Sequence, residues 1–172
     1  MPSATSCFDN LEQLGSGARF IPVIADMLER ADMFRDLSRQ EVEIIAGFTQ
    51  AYSASKASTI LREGDKESYM FIITEGKVDI YKNCADYKHD KKLATVRAGK
   101  TIGEMSLIDG LPHSASAIVS EPAKLLLITR HQFDALTEKH PEIALLLIRK
   151  IALLMSLRLR QTSGILIDYL QD

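Results

Sequence analysis

The spacing of apolar residues gives the chain helical ends and a β-rich middle. Between residues 20 and 33 apolar side chains recur at helical spacing, and a second short helix is predicted after Ser38. Ser38 is followed three residues later by Glu41, which is the spacing of a capping box. The pattern therefore predicts two N-terminal helices before residue 51.

From residue 51 to residue 130 the pattern becomes that of short strands. Turn signals centred on Gly64, Gly76 and Gly99 separate several of the runs. Many short strands with regular turns predict an antiparallel, jelly-roll-like β-roll, so the fold class is mainly β with flanking helices. The predicted strands are Thr59–Leu61, Tyr69–Thr74, Val78–Tyr81, Leu93–Val96, Ala115–Val119 and Leu125–Thr129.

Helical spacing returns from His131, and Pro141 suits the first turn of a long C-terminal helix. One apolar side of this helix can pack on the β-roll. We expect the other to pack on a second copy of the chain, giving a homodimer; alternatively, the N-terminal helices bury both sides within a monomer. The first side carries Ile143, Leu146, Leu147, Ile151, Leu154 and Leu157, and the second carries Leu145, Ala152, Met155 and Leu159.

The domain boundaries follow these changes of pattern. Residues 1–18 are mostly small and polar and are expected to form a tail. Residues 19–172 are expected to form one domain, with helices over 19–50, the β-roll over 51–130 and C-terminal helices over 131–172. A chain of 172 residues is long enough for one sizeable core.

Composition and charge exclude several classes of partner. The formal net charge of −2 does not suggest a nucleic-acid binder, so we expect no nucleic-acid partner. The longest near-apolar run, Ile143–Ile148, is too short to cross a bilayer, and the N-terminus lacks a secretory signal, so we expect no membrane partner. Cys7 and Cys84 have no metal-ligand spacing and do not resemble a disulfide framework, so we expect a reducing, cytoplasmic location.

The remaining chemistry does not point to an enzyme. The histidines are scattered, without a His-x-His pair, and no catalytic arrangement with serine or cysteine can be argued. We therefore expect no catalytic residues, no metal and no cofactor. The four histidines are His89, His113, His131 and His140.

The most specific motif lies between Ile102 and Ala117. It begins with Gly103-Glu104 and later contains Pro112-His113-Ser114-Ala115. It resembles the phosphate-binding cassette of the cyclic nucleotide-binding domain family, which usually reads Phe-Gly-Glu-Leu-Ala-Leu, a short turn, and Pro-Arg-Ser/Thr-Ala. The resemblance extends over about residues 33–161, but His113 stands where the family has arginine. The alternative is a set of ordinary turns with His113 as an exposed loop histidine.

The resemblance implies a role for each cassette position. Glu104 would accept a hydrogen bond from the ribose 2′-hydroxyl, backbone near Gly103 would contact the phosphate, and His113 would occupy the cation position. In the catabolite activator family a Thr-Ser pair on the C-terminal helix contacts the base, and Thr162-Ser163 is similar; alternatively, this pair ends or kinks the helix. The expected ligand-binding residues are Gly103, Glu104, Met105, His113, Ser114, Ala115, Thr162 and Ser163.

These features predict a stand-alone regulatory module for signal transduction. Its ligand would be a cyclic nucleotide, cAMP or cGMP, or another small anion, and an unidentified protein partner would receive the signal. Transcription factors with this resemblance carry a helix-turn-helix after the long helix, for which the sequence to Asp172 leaves no room. The alternative is a degenerate domain acting as a dimerisation or protein-interaction scaffold, because losing the arginine removes about 1.5–3 kcal/mol of binding.

Overall fold

A seven-stranded antiparallel sheet forms the centre of the computed structural model, which describes residues 11–83 and 90–170, with side chains as far as residue 164. The strand order is β1-β2-β7-β4-β5, with β3 paired to β7 and β6 paired to β4. Cys7, Cys84 and His89 lie outside the described residues. The strands are β1 (Glu12–Ser16), β2 (Gln50–Ala54), β3 (Thr59–Leu61), β4 (Tyr69–Lys82), β5 (Lys91–Arg97), β6 (Thr101–Ile102) and β7 (Ser116–Thr129).

Helices flank this sheet at both ends of the chain, and one short helix interrupts the β-rich region. Single 3-10 turns lie at Ala18–Phe20 and Asp32–Phe34. The predicted class, mainly antiparallel β with flanking helices and a long C-terminal helix, is confirmed. The α-helices are α1 (Ile21–Leu28), α2 (Arg39–Ala46), α3 (Glu104–Asp109), α4 (Arg130–Lys139) and α5 (Pro141–Leu170).

The two longest strands, β4 and β7, are buried on both faces where Met70–Ile73 pairs with Leu125–Ile128. Met70 and Ile72 face a core shared with the helices, whereas Phe71 and Ile73 face the interior of the β-roll. This alternation follows from the two-residue period of a strand. Burial on both faces explains why the sequence there is a continuous apolar run rather than an alternating one.

Both long strands were expected as pairs of shorter strands. The predicted turn at residues 75–77 is wrong, because β4 continues through it with shifts of register against β7. Gly76 has φ +84°, and a Cβ atom there would lie 2.2 Å from the carbonyl oxygen of Pro122. The glycine therefore permits a bulge where two backbones approach closely.

The predicted tail also differs from the structure in its described part. Residues 12–16 form β1, an edge strand that pairs antiparallel with β2. Gly15 is the buried residue of this strand, and a Cβ atom there would lie 2.2 Å from the Phe20 ring. Because β1 buries a glycine and exposes its other side chains, its sequence lacks the apolar alternation that identifies a strand.

Capping boxes begin two of the helices. The predicted box at the start of α2 is confirmed, since Ser38 N–H donates to Glu41 Oε2 at 2.7 Å and Glu41 N–H donates to Ser38 Oγ at 3.4 Å. Thr129 and Gln132 form the same arrangement at the start of α4, which was not predicted.

Helix α5 begins at Pro141, as predicted, and its packing changes along its length. Ile143, Leu147 and Ile151 are buried, whereas the side chains from residue 152 to residue 164 are half-buried or exposed. The helix does not end at Thr162-Ser163 but continues to Leu170. Within the described ranges, no helix has both the length and the apolar composition required to cross a membrane.

We expect Gly76→Ala to destabilise the fold much more than Gly64→Ala. Both glycines have positive φ, +84° and +82°, so each alanine carries a similar backbone penalty of about 1–2 kcal/mol. A Cβ atom at Gly64 meets nothing within 4 Å, whereas at Gly76 it overlaps backbone and should cost about 1–3 kcal/mol more. Urea unfolding measures the difference, and equal losses would contradict the close approach.

Candidate ligand-binding site

A cavity of about 520 Å³ lies beside the short helix α3. Its wall is formed by residues of β3 to β7, α3, the segment between α3 and β7, and one side chain from α5. The lining is predominantly apolar, with a few polar and charged groups, which is typical of small-molecule sites. The main apolar residues are Leu61, Ile80, Leu93, Val96, Ile102 and Met105.

Two glycines in the left-handed region delimit α3. Gly103 precedes it with φ +80° and Gly110 follows it with φ +71°. A Cβ atom at Gly103 would lie 2.6 Å from the carbonyl oxygen of Tyr69, so glycine allows the helix to start directly against β4. Ser106 Oγ donates to the Gly103 carbonyl oxygen at 3.0 Å and closes this first turn. Glu104 is thereby fixed at the cavity wall.

Glu104 carries a buried carboxylate, with 3% of the residue exposed. Arg158 of α5 donates from Nη1 to Glu104 Oε1 and from Nη2 to the Thr101 carbonyl oxygen at 2.6 Å. Burial raises the pKa of Glu104, and the Arg158 charge opposes this rise. Oε2 is also buried and accepts no well-formed hydrogen bond from the described residues, although the Thr101 hydroxyl and the Glu104 backbone lie close enough to the carboxylate to favour its ionised form. The site therefore holds a carboxylate oxygen that can accept a hydrogen bond from a ligand.

Arg158 was not predicted as a site residue, although the sequence contains a signal for it. It lies seven residues after Ile151, on the side of α5 that packs against the domain. A permanent charge on the core-facing side of a helix needs a partner, and Glu104 is that partner.

His113 is buried, with 4% of the residue exposed, so its alternative assignment as an exposed loop histidine is wrong. Its ring packs edge-on against Tyr69 with the centroids 4.7 Å apart. Its backbone pairs with the segment before β4: His113 N–H donates to the Asp65 carbonyl oxygen at 2.9 Å, and Gly64 N–H donates to the His113 carbonyl oxygen at 2.8 Å. These contacts fix the imidazole at the cavity wall.

The protonation of His113 is controlled by its surroundings. Burial lowers the pKa of His113, and the nearby charges of Asp65 and Glu67 together with the Glu67 backbone oppose this effect. The Nε2 atom is buried and has no hydrogen-bond partner among the described residues. The imidazole is therefore neutral at pH 7, unlike an arginine at the same place.

Although His113 is neutral, the cavity is lined by three permanently charged cationic side chains. Arg97, Lys100 and Arg158 all contribute to the lining, and Lys100 also pairs with Asp32 at 2.6 Å. Because Arg158 pairs with Glu104 and Lys100 pairs with Asp32, the positive charge that is not neutralised among the described lining residues is that of Arg97. This excess of positive charge favours an anionic ligand.

The structure brings six of the eight expected site residues together and leaves two apart. Thr162 and Ser163 are exposed on α5 and do not line the cavity. They lie about one helical turn beyond Arg158, and Thr162 Oγ1 donates to the Arg158 carbonyl oxygen at 3.0 Å. The six lining residues are Gly103, Glu104, Met105, His113, Ser114 and Ala115.

A metal centre receives no support from the described parts of the chain. Over residues 11–83 and 90–164, no group of three or more His, Cys, Asp or Glu side chains is placed to hold a metal ion.

Comparison with known proteins identifies the class to which this fold and cavity belong. Residues 52–140, just over half of the chain, match the cyclic nucleotide-binding domain family. The chain belongs to the cyclic nucleotide-binding domain family.

Two curated relatives share part of the sequence. The chain is 28% identical to the cyclic AMP receptor protein of Thermus thermophilus over 134 residues, covering 78% of this chain and 60% of the relative. It is 30% identical to a cGMP-dependent protein kinase of Plasmodium berghei over 99 residues, covering 58% of this chain and 11% of the kinase. The chain thus spans less than two thirds of each of these relatives.

Two solved structures share the fold over most of the chain. A cyclic nucleotide-binding domain from Methylobacillus flagellatus superposes with a TM-score of 0.82 at 28% identity, covering 96% of this chain and 92% of that domain. The catabolite activator protein of Thermus thermophilus gives a TM-score of 0.69 at 28% identity, covering 81% of this chain and 62% of that protein.

We expect His113 to weaken the fold on mild acidification. Its pKa is lower in the folded chain than the value of about 6.5 in an unfolded chain. Between these two values the unfolded state binds more protons, so stability falls as pH falls, by at most about 1.4 kcal/mol per pH unit. Urea unfolding from about pH 8 to about pH 5 measures this slope, which His113→Gln should reduce.

The matched control is His131→Gln, which changes an exposed histidine on α4. This variant should show the same fall in stability with falling pH as the wild type. If His113→Gln and His131→Gln gave the same pH profile, His113 would not be buried in its neutral form.

Proposed function

We propose that this chain is a regulatory module that binds a cyclic nucleotide in the cavity beside α3. The observation that carries the proposal is the buried carboxylate of Glu104, whose Oε2 is left for a ligand in a cavity that is mainly apolar and also carries cations. A cyclic nucleotide presents a hydroxyl donor, an anion and an apolar ring system. Each has a complementary group in the cavity.

The ribose is assigned to Glu104. A carboxylate accepts a hydrogen bond from a hydroxyl group, and charged acceptors form the stronger bonds. Arg158 supports this role because its charge favours the ionised carboxylate despite the burial of Glu104. The base is assigned to the apolar wall formed by residues such as Leu61, Ile80 and Val96, where its faces can be removed from water.

The phosphate is assigned to the end of the cavity that contains Gly103, His113 and Ser114. The loop there is anchored from outside, since Lys82 Nζ donates to the Ser114 carbonyl oxygen at 2.5 Å and also pairs with Glu63 at 2.6 Å. Such anchoring supports a preorganised contact with an anion. The matched relatives are named for cAMP and cGMP, so these are the first ligands to test.

A scaffold without a ligand is the second candidate function. It is favoured by the neutral His113, which removes a permanent cation from the position where the family has arginine. Calorimetric titration with cAMP and cGMP separates the two functions. Binding by the wild type supports the sensor. If the wild type does not bind and His113→Arg does, the pocket is intact but degenerate and the scaffold is favoured.

We expect Glu104→Ala and removal of the ribose 2′-hydroxyl to eliminate the same hydrogen bond. A hydrogen bond to a charged group contributes about 1.5–3 kcal/mol, so 2′-deoxy-cAMP should bind the wild type about 10- to 100-fold more weakly than cAMP. Glu104→Ala should bind both ligands weakly and with similar affinity. Calorimetry of both proteins with both ligands measures the coupling free energy between the Glu104 carboxylate and the 2′-hydroxyl.

The control is Glu138→Ala, which removes an exposed carboxylate from α4. It should retain the full preference for cAMP over its 2′-deoxy analogue. If Glu104→Ala kept the full preference for cAMP over its 2′-deoxy analogue, Glu104 would not be the residue that binds the ribose. Circular dichroism checks that the variant is folded.

The exposed part of α5 supports a homodimer as the form in which the module acts. Leu157 is 50% exposed, and Leu153 and Leu159 are more exposed. Exposed leucines on a helical segment that packs little on its own domain suit a second copy of the same segment. We infer that the module regulates through such contacts or a protein partner and catalyses no reaction.

We expect Leu157→Glu to shift the protein from dimer to monomer because it places a charge in the helix interface. Light scattering at micromolar concentration should give twice the chain mass for the wild type. Gln40→Glu introduces the same charge at an exposed position of α2, outside this face of α5, and should remain dimeric. A monomeric wild type would exclude this interface.

A further inference from the structure

The imidazole of His113 has one nitrogen without a partner at the cavity wall. Nε2 is buried and makes no hydrogen bond within the described residues, although the residue lines the cavity. The Glu67 backbone favours a proton on the ring, and since Nε2 has no partner we assign this interaction to the other nitrogen, Nδ1. A carbonyl oxygen can only accept, so Nδ1 carries the hydrogen. In the neutral ring, Nε2 then presents a lone pair.

A lone pair is the wrong partner for a phosphate oxygen, since both groups are acceptors. Protonation of Nε2 reverses this, because the imidazolium offers an N–H donor and a positive charge at the same atom. We propose that this site binds the phosphate of its ligand together with a proton, which Nε2 of His113 takes up as the ligand enters. The inference rests on the proposed function and specifies how that function depends on pH.

The charged groups around His113 determine when the proton binds. Asp65 and Glu67, in the segment before β4, favour the protonated ring. Burial has the larger and opposite effect, so the ring is neutral in the free protein at pH 7. From β4, Tyr69 packs against the ring through its aromatic edge. Protonation is therefore coupled to the arrival of the anion rather than completed beforehand.

The other charged groups that line the cavity do not replace this proton. Glu104 of α3 and Arg158 of α5 form an ion pair with each other. Arg97 and Lys100, at and just after the end of β5, add positive charge that attracts the ligand but disfavours a proton on His113. The ligand phosphate supplies the negative charge that stabilises the imidazolium.

The sign of the pH dependence follows from this coupling. The pKa of His113 is below its usual value in the free protein, and a bound anion raises it. Between these two pKa values binding takes up protons, so affinity increases as pH falls, by up to about tenfold per pH unit. An arginine at this position would give no such dependence. The module would thus respond to the nucleotide and to acidity at one site.

Calorimetry in several buffers tests the inference by counting protons. The full chain is titrated with cAMP and with cGMP at about pH 7.5, a pH at which His113 is neutral before binding, in phosphate-free buffers of different ionisation enthalpy. The dependence of the observed enthalpy on buffer enthalpy gives the protons taken up per bound nucleotide. We expect a value approaching about one for the wild type and for His131→Gln.

Variants of His113 assign the proton to this residue. His113→Gln retains a neutral donor and His113→Arg has a permanent charge, so both should bind without proton uptake and with affinities that do not change from about pH 8 to about pH 6. Over the same range the wild type should bind more tightly at low pH. Uptake that persists in His113→Gln would place the proton elsewhere and overturn the inference.

The two proposals fail in different ways. Binding by the wild type without proton uptake overturns the inference and leaves the proposed function intact. Absence of binding by both the wild type and His113→Arg over the whole pH range overturns both. Nitrogen-15 spectra of the histidine rings give an independent measurement, because His113 should change from the Nδ1–H form to the imidazolium when cAMP is added.

Discussion

The ion pair between Arg158 and Glu104 is the interaction on which the rest of the site depends. It joins the long helix α5 to the first residue of α3, and Arg158 also reaches the carbonyl oxygen of Thr101 in β6. Burial alone would favour a protonated Glu104, and the guanidinium opposes this. One side chain therefore links the charge state of the cavity to the position of the C-terminal helix.

The sheet holds the residues around this ion pair in fixed positions. Over residues 70–73 and 125–128, strands β4 and β7 are buried on both faces, so one set of side chains packs on the helices and the other fills the roll. Gly103 brings α3 against the backbone of β4, and His113 packs on Tyr69 of the same strand. A single strand thus positions both ends of the cassette, which reduces the ordering required when a ligand binds.

The sequence predicted the elements whose signals are local. The capping box at Ser38 and the apolar runs of the central strands depend on neighbouring residues, and the cassette is contiguous enough to identify its cavity-lining residues. Arg158 was missed because its partner lies 54 residues away. Thr162 and Ser163 were assigned to the site from their resemblance to a Thr-Ser pair, but such a resemblance does not determine where along a helix a cavity opens. Edge strand β1 was missed because it buries a glycine.

The uneven packing of α5 has a mechanical consequence. The helix is held in the core as far as Ile151, and its remaining 19 residues extend to Leu170 over a length of about 28 Å. With Ile151 as the pivot, a tilt of about 10° displaces the end of the helix by roughly 5 Å. Arg158 lies about a third of the way along this lever. A rearrangement of its ion pair by a fraction of an ångström is therefore amplified at the far end of the helix.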